Sequence, residues 1–200
     1  MDFWPGSWRT EKGRNVSTAM ELKETTIKRT DIYNGRILKV HVDDAETADG
    51  KPCKREVVDH PGGVCVAALT DNDELLFVRQ YRYPYHEVCL ELPAGKLEPG
   101  EDPFGAVQRE LREETGCIGK DWVFCGNMYP SPGYTNEIIR LWICRVDKEL
   151  GELDLDEDEA IEVEKIPVKK AAEMVMNNEI PDGKSQILVL KAAVSNFIHQ

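Results

Sequence analysis

Between Glu101 and Glu114 the chain places four glutamates and two arginines. Three of the glutamates, Glu110, Glu113 and Glu114, have the i, i+3, i+4 spacing of a single helical face. Carboxylates crowded in this way repel by roughly 0.2–0.5 kcal/mol per pair in water. A hard divalent cation such as Mg²⁺ turns that repulsion into ligation, because it takes oxygen donors and keeps several waters. The residue types alone therefore leave two readings open. One is a solvated charged helix, which is what most such runs are. The other is a divalent-cation site able to neutralise an anionic substrate.

Either reading needs a helix, and its ends are marked. Asp102 supplies a capping carboxylate and Pro103 a ring pre-set for the first turn. Gly116 supplies the stop. Within these limits Phe104, Val107 and Leu111 form an apolar stripe beside the three glutamates, and Gln108, Arg112 and Thr115 are expected to point elsewhere.

Composition excludes several classes of function. Two hundred residues suffice for one domain with a sizeable core and a small appendage. A hydrophobic fraction of 41% with 31% charged residues is that of an ordinary globular protein. The formal charge of −12 argues against non-specific nucleic-acid binding, which needs a basic footprint. No apolar run approaches the roughly 20 residues of a membrane span, and the first nineteen residues lack the apolar core of a signal peptide. Six cysteines (53, 65, 89, 117, 125 and 144) are scattered without a CxxC pair. They are read as reduced, mostly buried thiols of a cytoplasmic protein.

Taken in order, residues 1–19 show no period and are read as a poorly ordered leader. Leu22–Arg29, Arg36–Asp43 and Cys53–Asp59 read as three strands of a meander occupying residues 20–60, with Ala48-Asp49-Gly50-Lys51 as a turn. Residues 61–200 form the main domain. Val64–Leu69 is apolar throughout, as in a strand buried on both faces. Glu74–Tyr81, Glu87–Leu92, Trp122–Met128 and Ile138–Val146 are further strands. The acidic run Glu149–Glu164 is read as a solvated loop entering a short strand. Val168–Asn177 and Lys184–Ile198 are helical, the latter with Ile187, Leu190, Val194 and Phe197 on one face. Strands on both sides of a central helix, with a helix at the end, predict an α/β (α+β) fold: a mixed sheet between helices, preceded by a small antiparallel β-domain.

The full spacing around the acidic helix is more specific than its charges. Gly95, five residues, Glu101, seven residues, Arg109-Glu110-Leu111, one residue, Glu113-Glu114, one residue, Gly116 and an apolar Cys117 resemble the Nudix box. Cys117 stands where the family usually has an aliphatic residue, and cysteine behaves there as a small hydrophobe. Arg55-Glu56-Val57-Val58, His60-Pro61-Gly62, Val78-Arg79-Gln80-Tyr81-Arg82, Glu91-Leu92-Pro93-Ala94-Gly95 and Ser131-Pro132-Gly133 extend the similarity to the bacterial ADP-ribose pyrophosphatase subfamily. In that subfamily a proline lies about sixteen residues beyond the box glycine, as Pro132 does beyond Gly116.

The resemblance implies a Nudix α/β/α sandwich that cleaves the pyrophosphate of ADP-ribose to AMP and ribose 5-phosphate, using Mg²⁺ or Mn²⁺. It implies metal binding by Glu110, Glu113, Glu114 and the Ala94 carbonyl, with Arg109 and Glu101 supporting them or Arg109 touching substrate. Glu137 is the implied base, with Glu113 as the alternative. Arg55, Arg82 and Pro132 are the implied substrate residues. Arg55 would serve the neighbouring subunit of a domain-swapped homodimer. Tyr33 is a weak candidate for stacking on adenine, and Glu91 is expected to act through a neighbour. Two other activities stay open: hydrolysis of GDP-mannose or a related nucleoside diphosphate sugar, and ADP-ribose sensing without catalysis.

Overall fold

The structure is a computed structural model describing residues 22–146 and 161–195. The leader, most of the acidic run, and Phe197 lie outside the described residues. At the front, strands β1 (Thr25–Asn34), β2 (Lys39–Glu46) and β3 (Pro52–Asp59) form an antiparallel sheet in that order. The β2–β3 turn closes through the Gly50 N–H on the Thr47 carbonyl at 2.9 Å, with Gly50 at φ +81°.

The main sheet holds β4 (Gly63–Leu69), β5 (Glu74–Arg82), β6 (Glu87–Glu91), β7 (Ala94–Lys96), β8 (Gly119–Met128), β9 (Ile139–Val146) and β10 (Ile161–Pro167). Its path runs β10-β5-β4-β9-β8, with β6 on β5 and β7 on β4. Only the β4–β9 pair is parallel, so the sheet is mixed. Helix α1 (Pro103–Thr115) covers one face, and α2 (Val168–Met176) with α3 (Gly183–Val194) covers the other.

The period of two in β4 builds this sandwich. Cys65, Ala67 and Leu69 join the cluster beneath α2 and α3, with Ala171, Leu188, Val189 and Ala192. Val64, Val66 and Ala68 join the cluster beneath α1, with Ala106, Val107 and Leu111. Burying Leu111 alone is worth about 2–3 kcal/mol, which fixes the rotation of α1 and with it the carboxylate face beside the apolar stripe. No helix among the described residues is long and apolar enough to cross a membrane.

A fork in the sheet makes the cleft. β4 and β5 pair only at Leu69 and Leu75. Beyond that point they separate: β5 takes β6 as partner from Val78 to Arg82, and β4 takes β7 from Gly63 to Cys65. The turn between β6 and β7 crosses the gap, with the Pro93 carbonyl accepting from the Val66 N–H at 2.9 Å. Residues from Glu91 to Lys96 are thereby delivered to the mouth of the fork, facing α1.

Three expectations are corrected, and β2 shows a feature that the sequence reading did not address. Thr115 is fully buried, its hydroxyl donating to the Leu111 carbonyl at 2.5 Å. Phe104 sits at the rim, edge-on to Trp122 and tilted against Trp142 at ring-centroid distances of 5.6 and 5.1 Å. The last helix is shorter than expected and rotated. Ser185, Leu188, Val189 and Ala192 face the core, while Val194 is 83% exposed. Ser185 belongs to that face, its hydroxyl accepting the Leu92 N–H at 2.8 Å beside the buried Leu188, Val189 and Ala192. Finally, the buried face of β2 is His41, Asp43 and Ala45 rather than its aliphatic face. His41 Nδ1 and Asp43 Oδ1 lie 2.8 Å apart, so the buried polar atoms satisfy one another.

Candidate active site

Helix α1 is held at both ends by the residues that mark it in the sequence. The Asp102 carboxylate accepts from the N–H groups of Phe104 and Gly105 at 3.1 and 3.0 Å, a cap worth about 1 kcal/mol. Gly116 adopts the left-handed conformation at φ 69° and donates to the Arg112 carbonyl at 2.7 Å. The helix therefore presents Glu110, Glu113 and Glu114 in fixed register to the β6–β7 turn.

Each carboxylate has a different neighbour. Glu114 is buried at 3% exposure, its Oε2 accepting the Ala94 N–H at 3.0 Å. Glu110 lies directly over Gly95, where a Cβ would fall 1.9 Å from its carboxyl carbon. Glu113 is half-buried beside Arg109. Arg109 draws the group together: its Nη1 lies 2.8 Å from Glu113 and 3.0 Å from Glu110, and its Nε lies 2.9 Å from Glu101. Glu101 also accepts the Glu98 N–H at 2.9 Å, which ties the loop before the helix to the same cluster. The Arg109 hydrogen bond outweighs desolvation and lowers the Glu101 pKa; the same carboxylates push the Arg109 pKa up.

The donor set suits a hard cation: carboxylate oxygens on one helix face, beside a glycine whose missing side chain makes room for the Glu110 carboxylate. Among the described residues, no three acidic, histidine or cysteine side chains already converge on one point. Arg109 and the Ala94 N–H hold the carboxylates apart in this arrangement, and Arg109 places one positive charge among Glu101, Glu110 and Glu113.

Glu110, Glu113, Arg109, Ala94, Arg82 and Glu137 line one cleft of about 1360 Å³. Glu137 enters from the β8–β9 connection, with its Oε1 3.4 Å from His60 Nδ1. That nitrogen already accepts the Gly62 N–H at 3.0 Å, so a neutral His60 carries its proton on Nε2. Glu114 and Glu101 stand behind the cleft wall rather than on it. Arg55, Pro132 and Tyr33 are outside the lining. Arg55 is on exposed β3, bonded to Glu24 at 2.5 and 2.9 Å; Pro132 and Tyr33 are exposed.

Sequence reasoning missed Lys184, at the start of α3. It reaches the buried Glu91 carboxylate, which Arg82 also grips with two bonds at 2.6 and 2.7 Å. Asp182 lies 3.0 Å from the Lys184 ammonium. Asp182-Gly183-Lys184-Ser185 carries a helix-start signal, but the partner is 93 residues away in sequence. Burial works against the Glu91 charge, yet the Arg82 hydrogen bonds and the Lys184 charge prevail and hold its pKa at about 2, down from 4.5. A depressed folded-state value stabilises the fold above pH 4.5, and that contribution drains away as pH falls toward about 2. Urea unfolding across this window should show the slope in the wild type and a shallower one in Glu91→Gln. Equal slopes would remove Glu91 from the acid response.

Comparison with family models matches residues 59–187 to the NUDIX domain and residues 24–58 to the nucleoside diphosphate sugar hydrolase N-terminal domain. Among curated proteins, the ADP-ribose pyrophosphatase of Bacillus subtilis is 39% identical, over 86% of this chain and 96% of its own. The methanol dehydrogenase activator of Bacillus methanolicus is 40% identical over 84% and 91%. The ADP-ribose pyrophosphatase of Mycobacterium tuberculosis is 33% identical over 86% and 85%. With the sandwich, the capped acidic helix and these matches together, the chain belongs to the Nudix family.

Proposed function

We propose that this protein hydrolyses the pyrophosphate bond of ADP-ribose to AMP and ribose 5-phosphate, with Mg²⁺ as the working ion. The observation that carries the reading is the convergence of Glu110, Glu113, Arg82 and Glu137 on one cleft, with Glu114 just behind its wall. Its volume of about 1360 Å³ accommodates a nucleoside diphosphate sugar. The similarity to two ADP-ribose pyrophosphatases over most of the chain supports the choice of substrate.

Glu110, Glu113, Glu114 and the Ala94 carbonyl would hold the divalent ion. Bound there, it supplies Lewis-acid neutralisation of the diphosphate and a water of lowered pKa. The chain's own groups do the rest. Arg109 pairs with Glu110 and Glu113 and keeps their carboxylates spaced. Arg82, fixed by Glu91 along its Nε–Nη2 edge, offers the remaining Nη1 to a substrate oxygen. Water attacks one phosphorus, the bond from that phosphorus to the bridging oxygen breaks, and Glu137 accepts the water proton. His60 cannot compete as donor through Nδ1, because that nitrogen is engaged with Gly62.

We infer a homodimer with shared sites in the cytoplasm, a setting that the free cysteines suit. Every residue of β1 is exposed, Ile27, Ile32 and Tyr33 at 60% or more, which leaves three large apolar side chains for a second copy to cover. Arg55 on the same sheet would then reach the other subunit's cleft.

A panel of ADP-ribose, GDP-mannose, NADH, diadenosine polyphosphates and oxidised dGTP, each with Mg²⁺ and with chelator, tests the proposal. ADP-ribose should give the highest kcat/KM and no turnover with chelator. Faster turnover of GDP-mannose would move the substrate. Binding of ADP-ribose without turnover would make the protein a sensor, and turnover unaffected by chelator would sink the mechanism.

A further inference from the structure

The segment that carries Glu137 is stitched to the front sheet rather than to its own strands. The Val58 N–H donates to the Tyr134 carbonyl at 2.8 Å, and the Asn136 N–H to the Val58 carbonyl at 3.3 Å. Val58 and Thr135 form a parallel bridge. The Asn136 side chain closes the seam. Its Oδ1 accepts the His60 N–H at 2.9 Å, and its Nδ2 donates to Asp59 Oδ1 at 2.8 Å. The amide does this through two different atoms, its oxygen accepting and its nitrogen donating.

Asp59 is itself fixed. Its other oxygen accepts from Arg29 Nη2 on β1 at 2.8 Å and lies 3.6 Å from His41 Nε2 on β2. Lys39 stands opposite it in the β2–β3 register, and Asp31 shares the Arg29 guanidinium. Through Asp59, all three strands of the front sheet contribute to holding Asn136.

We propose that Asn136 is a positioning residue that clamps the Glu137 loop to Asp59, so that the front sheet sets where the base sits. This rests on the reading of Glu137 as the base. The next residue, Glu137, has its own N–H on Thr135 Oγ1 at 3.1 Å, leaving little slack between clamp and carboxylate. A partner or ligand that displaces the front sheet changes the reach of Glu137 without touching the α1 carboxylates.

Steady-state kinetics of ADP-ribose hydrolysis with Mg²⁺ on three variants tests this. Glu137→Gln should lose at least about 10²-fold in kcat. Asn136→Asp should lose about 10²-fold in kcat with KM changed less than about twofold, the scale of a small misplacement. That deficit should shrink relative to wild type from about pH 8 to about pH 5.5, because two facing carboxylates share a proton more readily. Asp59→Asn combined with Asn136→Asp reverses the polarity of the bond and should return kcat to within about fivefold of wild type. Asn136→Asp at near wild-type kcat, or a double variant as slow as the single, overturns the clamp alone. Glu137→Gln at nearly full rate overturns the base assignment and the clamp with it.

Discussion

Glu114→Gln should lower kcat for ADP-ribose by at least about 10³-fold, the scale expected when a metal-binding carboxylate is lost. Glu114 is the most buried of the three α1 glutamates, at 3% exposure, and its orientation is fixed by the Ala94 N–H. The amide keeps the volume and still accepts that N–H through its carbonyl oxygen, so stability should change by less than about 1 kcal/mol. What it removes is one negative charge and one anionic ligand. Kinetics at saturating Mg²⁺ with parallel urea unfolding separate the two effects. A variant near wild-type kcat would show that the ion sits elsewhere.

The second large effect is expected from a residue with no side chain. In Gly95→Ala the new methyl falls 1.9 Å from the Glu110 carboxyl carbon, far inside contact distance. The neighbour that must give way is the flexible end of Glu110, so the fold survives while the carboxylate swings out of place. We expect kcat to fall about 10²-fold and the Mg²⁺ requirement to rise, with KM for ADP-ribose within about threefold. Combining Gly95→Ala with Glu110→Asp, which shortens the intruding side chain by one methylene, should relieve the clash and recover part of the Mg²⁺ affinity. Full activity in Gly95→Ala would mean that Glu110 is not placed by this contact.

Much of this was legible from local pattern. Asp102, Pro103 and Gly116 bracket α1 because caps and stops act within one turn. Val64–Leu69 reads as a doubly buried strand because apolar side chains on both faces need cover on both sides, and α1, α2 and α3 provide it. The mixed sandwich follows from those elements. What stayed hidden depends on partners far apart in the chain. Lys184 has meaning only beside Glu91, and Asn136 only beside Asp59 and His60. The rotation of α3 involves a bond from the distant Leu92 to Ser185 together with the burial of Leu188, Val189 and Ala192. In β2 both faces carry apolar residues, so period alone did not reveal that His41 and Asp43 turn inward to meet each other. Gly95 is a fixed letter of the motif, yet the reason for it, the Glu110 carboxyl above it, requires coordinates.

The most direct test of the central claim is product analysis after ADP-ribose is incubated with the protein and Mg²⁺ in ¹⁸O-labelled water. The account predicts AMP and ribose 5-phosphate as the products. One of the two phosphates carries a single label, and no product forms with chelator or with Glu114→Gln. Unlabelled phosphates, or intact ADP-ribose recovered from protein that has bound it, would contradict hydrolysis at phosphorus in this cleft.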